Sequence, residues 1–321
     1  MYFYVFLQPE VFEEAVADGE DATQNVAGIL TGFQQNCFLA VFEDGRWDPS
    51  VREKLELWPE NMTRKRVVSM LVHLKKRGRF LYSVAPDYDC TKPDIEYVFA
   101  QASMISLDLI LVIASEVNRT APSGVEVITR RSYQATAFEP MRSNLAVYGK
   151  TCSAGEMGEV DFLEFHFKKA LMHAREIHIC DRVCGKKNLA DNFRYTIRRL
   201  VTWLGKILSD PLNCRIVFHL GEPEGRGSEF VRHEIASLKV GHLSGTSIEV
   251  EFYDDSLPGP SLPHQRFILT DQIAIGVDRG LDFLDRATGR CRDTCVYYQE
   301  PIDTRKLLVS LQSGRIPSQP I

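Results

Sequence analysis

The 321-residue sequence predicts an α/β fold made of two domains. Short runs of β-branched and aromatic residues alternate with longer segments of helical period, which is the order that gives sheets covered by helices. The length fits two domains of ordinary size. We therefore predict an α/β domain over residues 1–148 and a second α/β domain over residues 155–316. The glycine-containing segment from Ala121 to Gly158 is predicted to connect them.

The N-terminal domain is predicted from strand-like and helix-like segments that follow one another. Strands are predicted at Tyr2 to Leu7, Cys37 to Glu43, Leu107 to Ala114 and Val125 to Thr129. Helices are predicted at Val11 to Gly28, Val51 to Trp58, Arg64 to Arg77 and Asp94 to Ser103. The N-terminus lacks the charged region that begins a signal peptide, so its apolar residues are expected to form the first strand.

The C-terminal domain is predicted to begin with alternating strands and helices and to end with consecutive strands. Strands are predicted at Glu176 to Asp181, Cys214 to His219, Ser247 to Tyr253, His264 to Asp271, Ile273 to Val277 and Thr294 to Gln299. Helices are predicted at Asn192 to Leu204 and Gly227 to Lys239. This order implies that the early strands are parallel.

The strand that follows the Pro/Gly-rich loop carries the most informative residues of the chain. His264, Arg266 and Asp271 have the spacing H-x-R-x4-D, around the strand-forming residues Phe267 to Leu269. Residues i and i+2 of a strand point to the same face, so His264 and Arg266 should project together. A guanidinium can bind a phosphate through two hydrogen bonds while an imidazole attacks phosphorus or moves a proton.

This octet resembles the signature of the phospholipase D superfamily, H-x-K-x4-D, with Arg266 at the lysine position. Glycines follow at about the superfamily distance, at Gly276 and Gly280, although not in the superfamily's G-S-x-N form. The resemblance covers roughly residues 155–316, where the predicted order of strands and helices is similar to one half of the phospholipase D fold.

The resemblance implies a metal-independent phosphodiesterase with no cofactor. Superfamily members use two such motifs, and the sequence contains one, so a homodimer with a shared cleft is implied. His264 would be the nucleophile in one subunit and the general acid in the other. Arg266 would hold phosphate oxygens, and Asp271 would orient the site. The arginine departs from the superfamily pattern, because its fork is wider than a lysine ammonium.

Two other interpretations remain open. The domain could be a non-catalytic module that binds nucleic acid or a protein partner within a larger complex. Alternatively, His264 could be hydrogen-bonded at the start of the strand, with Arg266 in an ion pair with Asp278, Asp282 or Asp285.

Two clusters of basic residues favour nucleic acid over phospholipid as the substrate. The first comprises Arg64, Lys65, Arg66, Lys75, Lys76, Arg77 and Arg79, on a predicted helix and the turn that follows it. The second supplies our candidate phosphate-binding residues, Lys186, Lys187, Arg194 and Arg198, and continues through Arg199 and Lys206. Each cluster could equally be a solvated helix face whose cations interact with the helix dipole.

Metal sites are the weaker alternatives. Cys180-x3-Cys184 and Cys291-x3-Cys295 could together bind zinc, but zinc sites usually have the spacing C-x2-C. Carboxylates at predicted strand ends could bind Mg²⁺ in a metal-dependent nuclease. Those carboxylates are Glu10, Glu43, Asp44, Asp108 and Glu116. The remaining histidines, including His178 and His219, have no companions at metal or triad spacing.

Composition adds limits on location and partners. The formal net charge of −5 argues against a bulk electrostatic nucleic-acid binder, but permits a local basic surface. Apolar runs are strand-sized, so no membrane association is expected. Eight cysteines in a chain of this length are expected to be reduced thiols in the cytoplasm. A one-motif phosphodiesterase domain beside a second domain resembles nucleases of microbial defence, in which the second domain senses a target or binds a partner.

Overall fold

The computed structural model has the predicted α/β fold, in two compact units, Met1–Tyr148 and Gly149–Ile321. It describes residues 3–42, 46–83, 94–103, 105–120, 123–146, 150–187, 192–223, 227–238, 243–253, 262, 265–270, 273–299, 306, 309 and 315–320. None of the described helices is both long enough and apolar enough to cross a membrane.

The first unit is built on a five-stranded parallel sheet. Its strands are β1 (Phe3–Leu7), β2 (Cys37–Phe42), β3 (Phe80–Ser83), β4 (Leu109–Val112) and β5 (Glu126–Thr129). Their order across the sheet is β3-β2-β1-β4-β5, and every neighbouring pair is parallel. All residues of β1 and β4 are buried, as expected for strands covered on both faces.

Six helices are described in this unit. They are α1 (Glu10–Ala17), α2 (Glu20–Asn36), α3 (Trp47–Glu56), α4 (Met62–Lys76), α5 (Asp94–Gln101) and α6 (Phe138–Ala146). The prediction of a single helix from Val11 to Gly28 is wrong, because α1 ends at Ala17 and a separate helix, α2, begins at Glu20. Gly19 has φ +99° there, a conformation that favours glycine.

The second unit contains a mixed eight-stranded sheet. Its strands are β6 (Lys150–Cys152), β7 (Glu176–Asp181), β8 (Arg215–Gly221), β9 (Ser247–Tyr253), β10 (Phe267–Thr270), β11 (Ala274–Val277), β14 (Thr294–Gln299) and β15 (Arg315–Pro320). The order is β15-β9-β8-β7-β10-β11-β14-β6. The pairs β7–β8 and β8–β9 are parallel, which confirms the prediction for the early strands. From β7 to β6 each neighbouring pair described is antiparallel.

Helices and a small hairpin complete this unit. The helices are α7 (Glu159–Leu171), α8 (Arg182–Lys186), α9 (Asn192–Ile207) and α10 (Gly227–Ala236), and the hairpin pairs β12 (Leu284–Asp285) with β13 (Arg290–Cys291). The aromatic core of the second unit includes Phe162 of α7, which stacks on Phe283 with ring centroids 5.3 Å apart. The segment from Ala121 to Gly158, predicted as the connection, contains β5, α6 and β6.

The sheet topology fixes where the predicted motif lies. Since β10 is antiparallel to β7, its first residue lies at the carboxyl end of β7, where Phe267 pairs with Cys180. The carboxyl end of β11 reaches the same edge, since Gly276 pairs with Phe267. Ligands of open α/β sheets bind outside the carboxyl ends of the strands, so a binding site is expected at this edge.

Candidate functional site

Arg266 is the motif residue that the structure describes. It immediately precedes β10, and its side chain is 27% exposed. Its Nη1 donates a hydrogen bond of 2.6 Å to the main-chain carbonyl of Asp278. His264 and Asp271, the predicted nucleophile and orienting carboxylate, lie outside the described residues.

Asp181 is the acidic residue beside Arg266, and no sequence motif marks it as functional. It ends β7, and its side chain is fully buried. Its Oδ1 accepts hydrogen bonds of 2.9 Å from the amides of Val183 and Cys184, and its Oδ2 accepts one of 2.6 Å from the amide of Leu281. Arg266 Nε lies 4.0 Å from Oδ1.

Burial dominates the protonation chemistry of this carboxyl group. Burial raises the pKa of Asp181, and the three amide donors and Arg266 oppose that rise only in part. A sequence signal for Asp181 did exist, since it is an acidic residue directly after the apolar residues Ile179 and Cys180, at the carboxyl end of a predicted strand. Its partner Arg266, however, lies three strands further along the chain, just before β10.

Gly280 closes over this pair. It has φ +60°, and a Cβ atom built on it would lie 2.1 Å from Asp181 Oδ2 and 2.4 Å from Arg266 Cδ. Only a residue without a side chain can pass this close to both groups. The loop after β11 thus depends on glycine to pack against Asp181 and Arg266.

The predicted phosphate-binding residues lie on α8 and α9. Lys186 ends α8 and Lys187 caps it, directly beyond the carboxyl end of β7, and both are exposed. Arg194 and Arg198 lie one turn apart on α9 and are about half exposed. Both guanidinium groups contact the same carboxylate oxygen, Glu234 Oε2, at 2.5 and 3.3 Å. One negative charge is therefore shared by two positive ones, which leaves this part of the surface positively charged.

The side chains of Asp278, Asp282 and Asp285, which were predicted as possible ion-pair partners of Arg266, have other partners in the structure. Asp278 contacts Arg266 through its main-chain oxygen, while its Oδ1 accepts from the amides of Arg279 and Cys295. Asp282 binds Arg292, with both carboxylate oxygens within 2.8 Å of Nη1. Asp285 accepts hydrogen bonds from Ala287 and Thr288.

Two histidines without companions in the sequence meet in the fold. His178 of β7 and His219 of β8 are joined by a hydrogen bond of 2.8 Å from Nδ1 to Nε2. His219 Nδ1 lies 2.8 Å from the hydroxyl of Tyr253, which donates to Glu251 at 2.9 Å. At the other end, His178 Nε2 lies 3.1 Å from Glu176 Oε1.

This row of hydrogen bonds crosses three parallel strands on one face of the sheet. A neutral imidazole donates through one nitrogen and accepts through the other, so the bonds from His178 to Glu251 can run in one direction. In that arrangement the Nε2 of a neutral His178 carries no proton to donate to Glu176. Burial and the neighbouring His219 lower the pKa of His178. Since side chains alternate along a strand, Asp181 points to the opposite face from His178, so the two clusters lie on opposite faces of the sheet.

The alternative metal sites do not assemble among the described residues, which contain no group of three His, Cys, Asp or Glu side chains able to hold an ion. In the N-terminal unit, Asp108 accepts from the amide of Tyr4 at 2.8 Å, and Glu116 pairs with Arg119. Glu10 lies in the first turn of α1, whereas Glu43 and Asp44 lie outside the described residues.

The cysteines considered for zinc are free thiols. Cys180, Cys184 and Cys291 are buried, and Cys295 is partly exposed. Burial raises the pKa of the Cys180 and Cys184 thiols well above the ordinary value. These two thiols therefore behave as small buried side chains rather than as nucleophiles.

A comparison with protein-family models finds no match to this chain, and a search of curated proteins finds no significantly similar sequence.

Proposed function

We propose that this protein is a metal-independent phosphodiesterase that cleaves nucleic acid, in a cleft shared by two subunits. The observation that carries the proposal is the position of Arg266. Its half-buried guanidinium lies beside the buried Asp181, at the edge of the sheet where β7 ends and β10 begins. The exposed Lys186 and Lys187 lie at the end of α8, the helix that begins at the same edge of the sheet.

Arg266 is suited to hold a phosphate in this position. The Asp278 carbonyl engages Nη1, and Asp181 lies near Nε. No partner contacts Nη2 within the described residues, so this group can donate to a phosphate oxygen. Three amide hydrogen bonds fix the Asp181 carboxylate, and its negative charge beside Nε favours this orientation of the guanidinium.

The proposed reaction has two steps. An imidazole nitrogen of His264 attacks phosphorus, a P–N bond forms, and the P–O bond to the leaving strand breaks. His264 of the partner subunit gives a proton to the leaving oxygen. Water then attacks phosphorus and passes a proton to the partner's His264, the P–N bond breaks, and the phosphate product leaves with both histidines restored. Asp271 orients the site.

Nucleic acid is the proposed substrate because the basic residues near this edge can follow a phosphate backbone. Lys186, Lys187, Arg194 and Arg198 supply the charge. We further propose that the protein acts in the cytoplasm, in microbial defence, and that residues 1–148 sense a target or bind a partner protein.

One observation favours the second candidate function, a non-catalytic module that binds nucleic acid or a protein. Glu234 holds both Arg194 and Arg198, and the Asp278 carbonyl holds Arg266, so each arginine already has a structural partner. Such a module would bind nucleic acid without turnover.

Cleavage of labelled single- and double-stranded DNA and RNA in EDTA tests the proposal. His264→Ala is compared with wild type and with His233→Ala, which removes an exposed histidine from the last turn of α10. We expect cleavage by wild type and His233→Ala, and none by His264→Ala. Equal binding by all three proteins without cleavage would support the binding module instead.

A further inference from the structure

The N-terminal unit carries an apolar groove between α3 and α4. Its floor consists of Trp47, Val51 and Leu55 from α3, Leu71 from α4 and Phe80 from β3, all of them buried. The groove has a volume of about 340 Å³. That volume is in the range of protein sites that bind a ligand or an anchoring side chain.

The floor continues outward onto exposed apolar surface. Val68 and Val72 lie one turn apart on α4, line the groove, and are 41% and 45% exposed. Scattered exposed valines need no explanation, but these two extend an apolar groove along a helix. The result is an apolar strip of helical spacing that is open to solvent.

The charged side chains of α4, beside this strip, are all positive. Residues 62–79 contain seven lysines and arginines and no acidic residue, although the whole chain has a formal net charge of −5. Lys65, Arg66, Lys75 and Lys76 of α4 are exposed, whereas Arg79 is buried over the Phe38 ring at 5.2 Å and belongs to the core. The basic cluster predicted from the sequence is therefore confined to α4 and Arg77.

The α3 side of the groove has mixed charge. Asp48 pairs with Lys75 across the groove, and Arg52 and Glu56 line the same wall. The groove is thus polarised, with cations along α4 and both signs along α3. An occupant that presents carboxylates toward α4 and apolar side chains toward the floor matches this distribution.

We propose that this groove binds an acidic amphipathic helix of a partner protein. Apolar residues at i, i+3, i+4 and i+7 of that helix would fill the floor, which is the usual arrangement of a helix in a groove. Carboxylates on one flank of the helix would face Lys65 and Lys76, which lie beside Val72 on α4, whereas Arg66 is turned toward α2 and donates to Thr31 at 2.9 Å. The proposal does not depend on the phosphodiesterase activity proposed above.

Other occupants fit less well. A second copy of this chain, related by a twofold axis, would place the same basic helix against itself. Single-stranded nucleic acid stacks its bases on exposed aromatic faces, whereas Trp47 and Phe80 are only 2% and 4% exposed. These occupants are therefore outcomes of the test.

The test uses two fluorescein-labelled helical peptides of the same length as α4. One carries a leucine stripe at helical spacing with a flank of glutamates, and in the other each glutamate is replaced by lysine. Binding is measured by fluorescence polarisation on the full chain, and hydrogen exchange locates the contact. We expect the acidic peptide to bind at least about tenfold more tightly than the basic one and to protect α3 and α4.

Matched variants assign the binding to the groove. Val72→Glu places a charge on the apolar strip and should weaken acidic-peptide binding by about tenfold or more. Val160→Glu makes the same change at a position of α7 that is 56% exposed, and should leave binding unaltered. Lys65→Glu with Lys76→Glu should also weaken binding, whereas arginine at both positions should preserve it.

The proposal is overturned if the two peptides bind alike, if neither binds, or if Val72→Glu and Val160→Glu behave alike. Protection of α3 and α4 by single-stranded DNA or by phosphatidylserine vesicles, with no protection by the acidic peptide, would assign the groove to those ligands instead.

Discussion

Arg266 and Asp181 lie side by side at the carboxyl end of β7, with Arg266 Nε 4.0 Å from Asp181 Oδ1. The same carboxyl group accepts amide hydrogen bonds from α8 and from the loop after β11. Asp181 therefore links the proposed phosphate-binding arginine to the two elements that border it. A change at Asp181 should affect both the stability of the domain and the position of Arg266.

Replacement of Asp181 by alanine is expected to destabilise the second unit. It leaves buried amide donors without an acceptor, which costs about 1–3 kcal/mol of unfolding free energy. Asp161→Asn is the control, since Asp161 is an exposed acidic residue in the first turn of α7 and should cost less than about 1 kcal/mol. Urea denaturation measures both. Equal losses for the two variants would show that Asp181 does not organise this edge.

Gly280→Ala is expected to displace Arg266. The added Cβ would collide with Asp181 and Arg266, and the φ of +60° adds the strain of a left-handed residue. Gly289→Ala separates the two effects, because Gly289 has φ +65° but its Cβ would meet nothing closer than Tyr195 at 3.8 Å. The left-handed backbone conformation should lower the free energy of unfolding of both variants by about 1–2 kcal/mol. Gly280→Ala should lose a further 1–3 kcal/mol or so from the collision.

Thermal unfolding and the activity assay together check this comparison. Under the proposed function, Gly280→Ala should lose nucleic-acid cleavage and Gly289→Ala should retain it. If the two variants have the same stability and activity, the close approach of Gly280 to Arg266 has no functional role.

Protonation of His178 is expected to make stability depend on pH. The pKa of His178 is lowered in the folded protein by burial and by His219. In the unfolded chain, His178 binds a proton as pH falls below about 6.5, while the folded protein does so only at lower pH. Protons therefore favour the unfolded state in this window, and the free energy of unfolding should fall as pH falls.

His178→Gln removes this titration. Its free energy of unfolding should fall less steeply than that of wild type as pH decreases below about 6.5. His233→Gln, at an exposed histidine, should follow wild type. Denaturation at a series of pH values gives the slopes, and identical slopes for wild type and His178→Gln would contradict the assigned burial of a neutral His178.

Glu234→Gln is expected to strengthen nucleic-acid binding. It removes the negative charge that Arg194 and Arg198 share, so both guanidinium groups become available to phosphates. We expect several-fold tighter binding at low salt and a steeper decrease in affinity with added salt. Glu229→Gln, at an exposed position of the same helix, is the control. Binding is measured in EDTA in the His264→Ala background, and unaltered affinity would place the nucleic acid elsewhere.

Much of the fold could be predicted from local sequence patterns. The structure has β7, β9 and β14 with the predicted bounds, because each is a run of strand-forming residues with clear ends. The end of α1 before Gly19 cannot be predicted from apolar spacing, because helical periodicity continues across it. The short strands β6, β12 and β13 also carry too few residues to show a period.

The contacts of the candidate site depend on strand pairing, which local patterns do not reveal. His178 meets His219 because β7 and β8 are adjacent and parallel in one register. Asp181 meets Arg266 because β10 runs antiparallel beside β7. Each pair joins residues far apart in sequence, so spacing rules for motifs cannot detect it.

The measurement that tests the proposed function most directly is detection of a covalent intermediate on His264. Wild-type protein is mixed with a nucleic-acid substrate in EDTA, quenched rapidly, digested and analysed by mass spectrometry under conditions that preserve phosphohistidine. We predict a nucleotide adduct on the peptide that contains His264, absent from His264→Ala and present in His233→Ala. Cleavage that proceeds without this adduct and persists in His264→Ala would contradict the proposed mechanism.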